Sequence, residues 1–191
     1  MLLIAYSTAP LSECVFDTTK ASNMQTVTDF TADTSDLGWY IQNDNVMGGK
    51  STGDFKLNKD VLIFSGYTNT DGGGFSSIRT SDFRSDMSEQ DGICVRVKGD
   101  GRRYSWQLQT NATWRGKLIS YWADFTTIEN EWLTISIPFT DFKPQFRGMQ
   151  LDGPKLDRDQ LTSMGLYIYD KQDGAFTIHL NKVSAYRADR P

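Results

Sequence analysis

The segment Gly49–Gly53 has the residue types of two catalytic motifs, a phosphate-binding loop and a nucleophile elbow. A phosphate-binding loop needs a glycine five residues before Gly49, but the sequence has Asp44 there, and its carboxylate would repel phosphate. A nucleophile elbow needs a helix after its serine, whereas Asp54–Leu57 alternates as a strand does. We therefore reject both motifs.

The remaining candidates for catalysis are also weak. His179 is the single histidine, which excludes a metal site built on two or three imidazoles. It lies in phase with the polar positions around it, as a solvent-facing strand residue would. Asp44 and Asp100 could form a carboxylate pair for acid–base catalysis, but neither their spacing nor a second histidine supports it. We expect a protein that is not an enzyme, with no metal and no cofactor.

Composition limits the classes of partner. The chain has 191 residues, a length that fits one domain. Lys and Arg number 20 and Asp and Glu 24, so the net charge of −4 leaves no large excess of either sign. Binding to nucleic acid or to an anionic membrane needs a concentrated basic patch, so this balance argues against both. No apolar run approaches the ~18 residues of a membrane-spanning helix.

We expect the first 27 residues to form a poorly defined N-terminal arm. The arm has no basic start and only a short apolar run, unlike a secretory signal or a transit peptide. We expect a cytoplasmic location, with export as the alternative if the start codon is misassigned. Cys14 on this arm and Cys94 allow at most one disulfide, and pairing is not expected if the arm is mobile.

From residue 28 onward the pattern is that of strands joined by Gly, Asp and Asn turns. The clearest alternating segments are Ile93–Lys98, Tyr104–Gln109, Ile119–Phe125, Leu133–Ile137, Leu166–Tyr169 and Phe176–Asn181. About nine short strands without a strand–helix–strand rhythm predict an all-β sandwich of two sheets. We therefore expect a single β-sandwich domain over residues 28–187.

One short helix is predicted near residue 160. Asp157 and Gln160 have the spacing of a capping box, and Leu156 and Leu161 that of a hydrophobic staple. Gly165 fits the left-handed residue that ends a helix. The helix is therefore expected between Asp157 and Gly165.

Glycine is concentrated in two loops. Seven of the 16 glycines lie between residues 48 and 74. Such segments indicate either a backbone that passes close to another backbone or a loop platform that binds a ligand, and both interpretations stay open. We expect Gly48–Gly49, Gly72–Gly74 and Phe146–Gly148 to lie close together in space.

Six ordered segments together resemble one protein family. They are Trp39 with Asn43-Asp44-x-Val46-Met47-Gly48-Gly49-x-Ser51, Gly73-Gly74-Phe75-x-Ser77-Ile78-Arg79, Gly99-Asp100-Gly101-Arg102-x-Tyr104, Pro138-Phe139-x-x-Phe142-x-Pro144-x-Phe146-Arg147-Gly148, Gly165-Leu166-x-Ile168 and Asp170-Lys171-Gln172-Asp173-Gly174-x-Phe176. Over about residues 28–187 the chain resembles the complex I intermediate-associated protein family. The resemblance implies a galactose-binding-like jelly-roll β-sandwich.

The resemblance also implies a function. Its best-known members are assembly factors that hold intermediates of NADH:ubiquinone oxidoreductase without catalysing a reaction, which makes a non-enzymatic protein-binding module or chaperone the first hypothesis. A bacterial stand-alone member is the simplest fit. The resemblance implies a protein partner, such as a subunit of a respiratory complex or an assembly intermediate. The candidate partner-binding residues are Asp44, Met47, Gly48, Gly49, Ser51, Gly73, Arg79, Asp100, Arg102 and Arg147. Among these, Arg79, Arg102 and Arg147 are expected as anchors, with packing between loops as the alternative.

A carbohydrate-binding module is the alternative hypothesis, because the implied fold hosts many sugar binders. Strand alternation would place several aromatic and amide side chains on one sheet face, which suits the apolar face and the hydroxyls of a sugar. These residues are Gln107, Gln109, Trp122, Tyr167 and Tyr169.

Overall fold

The computed structural model describes residues 23–33 and 36–188. It is built from 13 strands. They are β1 Met24–Thr28, β2 Trp39–Asn43, β3 Thr52–Asn58, β4 Val61–Thr68, β5 Ser76–Thr80, β6 Gly92–Lys98, β7 Arg103–Trp114, β8 Lys117–Thr126, β9 Trp132–Pro138, β10 Lys143–Phe146, β11 Met149–Gln150, β12 Ser163–Ile168 and β13 Gly174–Tyr186. Strand β1 begins a few residues before the predicted domain start at 28, while Cys14 and most of the predicted arm lie outside the described residues.

The strands form two antiparallel sheets. A six-stranded sheet has the order β3-β4-β13-β6-β9, with β1 added to β13. A seven-stranded sheet has the order β11-β10-β8-β7-β12-β5-β2. Neighbouring strands are rarely consecutive in the chain, as expected when strands cross between the sheets of a jelly roll. The all-β, jelly-roll sandwich predicted from the sequence is confirmed.

The core lies between the two sheets and is built from the apolar half of each alternation. In the six-stranded sheet Ile93, Val95 and Val97 are fully buried, while in the seven-stranded sheet Trp106 and Leu108 are. A strand with one buried face places every second side chain in the core, which is why the period-2 pattern identified these strands. The opposite faces of the sheets are left to polar side chains and to a few aromatic ones.

The prediction of a helix between Asp157 and Gly165 is wrong, because these residues form a turn followed by a strand. Leu161 instead pairs with Ser85 in an isolated bridge, and Gly165 lies within β12. A Cβ on Gly165 would lie 2.9 Å from the carbonyl oxygen of Ile78, so glycine serves close strand packing there and not a helix end. Short 3-10 helices occur at Asp44–Met47 and Phe139–Asp141. No helix in residues 23–33 and 36–188 has the length and apolar character needed to cross a membrane.

Candidate functional site

The two glycine-rich loops meet at the buried carboxylate of Asp44. Ser51 donates to it through its backbone N–H at 2.9 Å and its hydroxyl at 2.6 Å. The backbone N–H groups of Gly74 and Phe75 donate at 2.6 and 3.2 Å. Burial alone would raise the pKa of Asp44, but hydrogen bonds from Ser51, Gly74 and Phe75 outweigh it and lower that pKa. We call this arrangement the Asp44 clasp.

Glycine is required where backbone approaches the Asp44 clasp. A Cβ on Gly49 would lie 2.2 Å from the Cγ of Asp44, and one on Gly73 would lie 2.4 Å from its Oδ2. Any larger residue would have to displace the carboxylate from its donors. At both positions the close neighbour is the side chain of Asp44 and not a second backbone, which differs from the backbone crossing expected from the sequence.

The Asp44 clasp supports an exposed apolar turn. The 3-10 helix that begins at Asp44 carries Val46 and Met47, whose exposed fractions are 64% and 66%. Gly48 ends it in the left-handed conformation with a φ of 87°. We call Val46 and Met47 the loop tip. Of the predicted partner-binding residues in this region, Met47 and Gly48 face solvent, whereas Asp44, Ser51 and the close-packed glycines hold the loop.

A second internal anchor joins Arg102 to Asp170. The guanidinium donates from Nε to Oδ2 at 2.9 Å and from a terminal nitrogen to Oδ1 at 2.6 Å. It also donates to the Thr68 hydroxyl and to the backbone carbonyls of Gln172, Gly174 and Ala175, at and just before the start of β13. The Asp170 carboxylate raises the pKa of Arg102. All of these donors are used within the fold, so Arg102 stabilises loops and does not reach outward.

Asp100 is occupied in the same way. Its carboxylate accepts a hydrogen bond from the Tyr104 hydroxyl at 3.1 Å and from the backbone N–H of Thr177 at 2.7 Å. Burial, and then the charge of Asp100, raise the pKa of the Tyr104 hydroxyl. The backbone N–H of Thr70 donates to the carboxylate of Asp173 at 2.7 Å, which connects loop 169–174 to the glycine-rich loops. We call loops 44–51, 69–75, 99–102 and 169–174 together the clasp end of the sandwich.

Arg147 lies at the other end of the seven-stranded sheet. Its turn joins β10 to β11 just after Gln145, which is in one row with Ser120, Gln109 and Ser163. The clasp end instead follows the row that contains Ile168. Five residues of β12 separate the two rows, about 17 Å at the rise of a strand. The prediction that all three glycine segments share one site is therefore right for the first two and wrong for Phe146–Gly148.

The outer face of the seven-stranded sheet brings together the residues of the carbohydrate hypothesis. One row across the strands contains Trp122, Gln107 and Arg79, and the next contains Tyr167. Trp122 contacts Tyr167 edge to face with ring centroids 4.3 Å apart, and the Arg79 guanidinium lies 4.8 Å from the centre of the same ring. Gln109 lies on the other side of the Trp122 row from Tyr167, towards the end that carries Arg147. Arg79 therefore belongs to this face and not to the clasp end.

Tyr167 is itself poorly available to a ligand. Its exposed fraction is 3%, and its hydroxyl donates to Gln107 at 3.2 Å. Burial raises the pKa of Tyr167 to about 12. Tyr169, by contrast, has an exposed fraction of 43% and packs against Phe75. The rings available for stacking on this face are those of Trp122 and Tyr40. Tyr40 was not predicted from the sequence, although it alternates with Ile41 and pairs with Arg79.

A polar cleft of about 710 Å³ continues the outer face beyond Gln109. Tyr40 and Ser163 line it from the sheet, and Asn111 and Leu118 from the end of the β7–β8 hairpin. Segments that flank β5 and β12 add Arg84, Asp86 and Asp159. Sequence reasoning missed the cleft, because its charged residues come from loops that no motif covers.

Comparison with known proteins gives a family match and two named relatives. Residues 28–180 match the model of the family described as Complex I intermediate-associated protein 30. An uncharacterized protein of Schizosaccharomyces pombe is 30% identical over 169 residues, covering 78% of this chain and 77% of that protein. The mouse mitochondrial Complex I intermediate-associated protein 30 is 25% identical over 171 residues. The match covers 78% of this chain but only 52% of the mouse protein, so the chain spans about half of that relative's length.

Among solved structures, a family 11 carbohydrate-binding module from Clostridium thermocellum has the same architecture. That structure contains a mixed-linked β-1,3-1,4 tetrasaccharide. The TM-score is 0.64, and the match covers 88% of this chain and 98% of the module. Sequence identity is 19%, so the likeness concerns the fold alone.

Proposed function

The chain belongs to the Complex I intermediate-associated protein 30 family, and we propose that it is a protein-binding module that attaches to an assembly intermediate of complex I without catalysing a reaction. The name of the mouse relative supports this class of partner. A cytoplasmic location stays a prediction, since that relative is mitochondrial. A bacterial origin is likewise a prediction.

The observation that carries the proposal is the exposed loop tip on the Asp44 clasp. Val46 and Met47 are about two-thirds exposed, although each would gain free energy from burial. Four hydrogen bonds to Asp44 hold the loop in one conformation, so little conformational entropy is lost when a partner covers it. Methionine is enriched in the buried centres of protein interfaces. Apolar side chains on a rigid base are what a protein partner requires.

Capture from the source cell tests the proposal. We expect the tagged chain to retain a complex I subunit, and the double variant Val46→Ser, Met47→Ser to lose it. Leu57→Ser is the matched control, because Leu57 is 58% exposed on the edge strand β3, away from the loop tip. Retention of the same subunit by the double variant would contradict the proposal, provided that its melting temperature matches that of the wild type.

Carbohydrate binding is the second candidate function, favoured by Trp122 and Tyr40 beside the amides of the outer face. Its test is a glycan array with Trp122→Ala. Aromatic stacking supplies most of the affinity of a sugar-binding module. Trp122→Ala should therefore bind no glycan, while Arg147→Ala should bind glycans like the wild type. Saturable binding of an oligosaccharide that Trp122→Ala abolishes and the loop-tip variant preserves would replace the first proposal.

A further inference from the structure

Two hairpin turns with the same pattern lie side by side at the end opposite to the clasp end. The β7–β8 turn reads Trp114-Arg115-Gly116-Lys117, and the β10–β11 turn reads Phe146-Arg147-Gly148-Met149. Each has an arginine and a glycine in the left-handed conformation, with φ of 50° and 72° in the first and 49° and 81° in the second. The ring centroids of Trp114 and Phe146 are 5.3 Å apart. We call residues 114–118 and 146–149 the paired hairpin tips.

Positive charge is concentrated at the paired hairpin tips. Arg115, Lys117 and Arg147 lie on the turns, whereas Lys143 lies at the opposite end of β10 and donates to the carbonyl of Thr140 at 3.1 Å. Residues 101–123 and 142–151 contain no Asp or Glu, and the carboxylates of Asp86 and Asp159 line the cleft that Leu118 borders. Within the described part of the chain, none of the three cations on the turns forms an ion pair. The sequence has a net charge of −4, yet the fold places three cations on two adjacent turns.

Apolar side chains accompany these charges. Leu118 and Met149 have exposed fractions of 59% and 48%. The Arg115 guanidinium lies 4.3 Å from the centre of the Trp114 ring, and that of Arg147 lies 5.5 Å from the centre of the Phe146 ring. Strand β7 continues to Trp114, past Gln109, where its pairing with β12 ends. The tips therefore extend beyond the neighbouring strand.

We propose that the paired hairpin tips dock on the surface of an anionic lipid bilayer. Each Lys or Arg near such a surface contributes about 1 kcal/mol, and Trp, Leu and Met reach the boundary between headgroups and acyl chains. An acidic protein would match the same charges, so the test below includes an oligo-glutamate peptide to distinguish it from a bilayer. Two projecting turns also fit a flat membrane surface, whereas a concave pocket would not. The surface is separate from the loop tip, so the chain can hold a protein partner while it lies on a membrane.

Co-sedimentation with lipid vesicles tests this inference. We expect the wild type to sediment with vesicles of equal parts phosphatidylserine and phosphatidylcholine, less so as salt rises, and to stay in solution with phosphatidylcholine alone. The double variant Arg115→Glu, Arg147→Glu should bind roughly thirty-fold more weakly or worse. The control is Lys59→Glu, Lys171→Glu, which makes the same change of charge at exposed left-handed residues elsewhere, with φ of 56° and 61°. That control should keep most of the affinity.

Two results would overturn the inference: wild-type protein that does not bind phosphatidylserine vesicles, and an equal loss of affinity in the two charge-reversal variants. In the first case, binding of an oligo-glutamate peptide at the tips would assign the surface to an acidic protein. Leu118→Ser, Met149→Ser keeps every charge and should weaken vesicle binding several-fold. Thermal melts of all variants identify any loss of folding.

Discussion

The two ends of the sandwich use arginine in opposite ways. At the clasp end the side chain of Arg102 is 12% exposed and makes six hydrogen bonds, two of them to a carboxylate that is itself buried. At the other end Arg147 is exposed and lies against the ring of Phe146. Both arginines stand in family motifs between glycine and an aromatic residue. Depth in the fold separates an arginine that stabilises from one that is available to a partner.

Replacing each arginine with alanine gives the largest contrast. Arg102→Ala leaves the Asp170 carboxylate, 1% exposed, without its cationic partner, and such a loss costs about 3–5 kcal/mol of unfolding free energy. Arg147→Ala should change that free energy by less than about 0.5 kcal/mol. Urea unfolding of both variants measures the difference. Equal destabilisation would remove the distinction between the two ends.

Asp44 should be next in effect. Asp44→Ala leaves the backbone N–H groups of Ser51, Gly74 and Phe75 without an acceptor, at a cost of about 3 kcal/mol. Asp71 in the adjoining loop is the control, because its side chain is 74% exposed and its ion pair is with an exposed lysine. Asp71→Ala should cost no more than about 0.5 kcal/mol. A neutral Asp44→Ala in the same urea titration would show that the clasp does not hold the loops.

Glycine provides a third contrast between the ends. Gly73→Ala places a methyl group against the Asp44 carboxylate and should cost about 2–3 kcal/mol. Gly148→Ala meets nothing within 4 Å and carries only the penalty of its φ of 81°, about 1 kcal/mol. Calorimetric melts should therefore show the larger fall for Gly73→Ala. The reverse order would mean that backbone strain, not contact with Asp44, explains the glycines.

Acid should weaken the clasp end selectively. The lowered pKa of Asp44 means that its contribution to stability is complete above the ordinary value of 3.8 and is lost as the pH falls through the lower, folded value. The free energy of unfolding of the wild type should exceed that of Asp44→Asn by a constant amount above pH 3.8. This excess should shrink as the pH falls below that value. Unfolding curves recorded across this range measure the effect. A difference that widens with acid would contradict the charged state of Asp44.

Strand alternation predicted most of the sandwich because burial of one face determines it locally. The apolar positions of Ile93–Val97 and Tyr104–Leu108 are buried as expected, and Cys94, Ser105 and Gln107 on the opposite face are buried too. The helix prediction failed because capping residues also suit turns, and strand pairing of Leu161 and Gly165 prevailed over local propensity. Tertiary pairing is not encoded within a window of ten residues.

The candidate sites were harder to predict, since motifs name residues but not their depth or their end of the sheet. Asp44 and Arg102 carry motif positions yet face inward, whereas the exposed Val46 and Met47 stand beside them in sequence. The pairing of β10 with the first half of β8 places Arg147 far from the glycine loops. That pairing depends on strand order, which alternation does not reveal. The net charge of −4 is a sum over the whole chain, so it does not reveal that Arg115, Lys117 and Arg147 lie together at one end of the fold.

The central claim is that the loop tip binds a protein and that the Asp44 clasp presents it. The most direct measurement is a calorimetric titration of the subunit recovered with the tagged chain against wild type, Val46→Ser with Met47→Ser, and Leu57→Ser. The account predicts that the double variant loses about 2 kcal/mol or more of binding free energy at an unchanged melting temperature, while Leu57→Ser binds like the wild type. Equal affinity of all three proteins would contradict it.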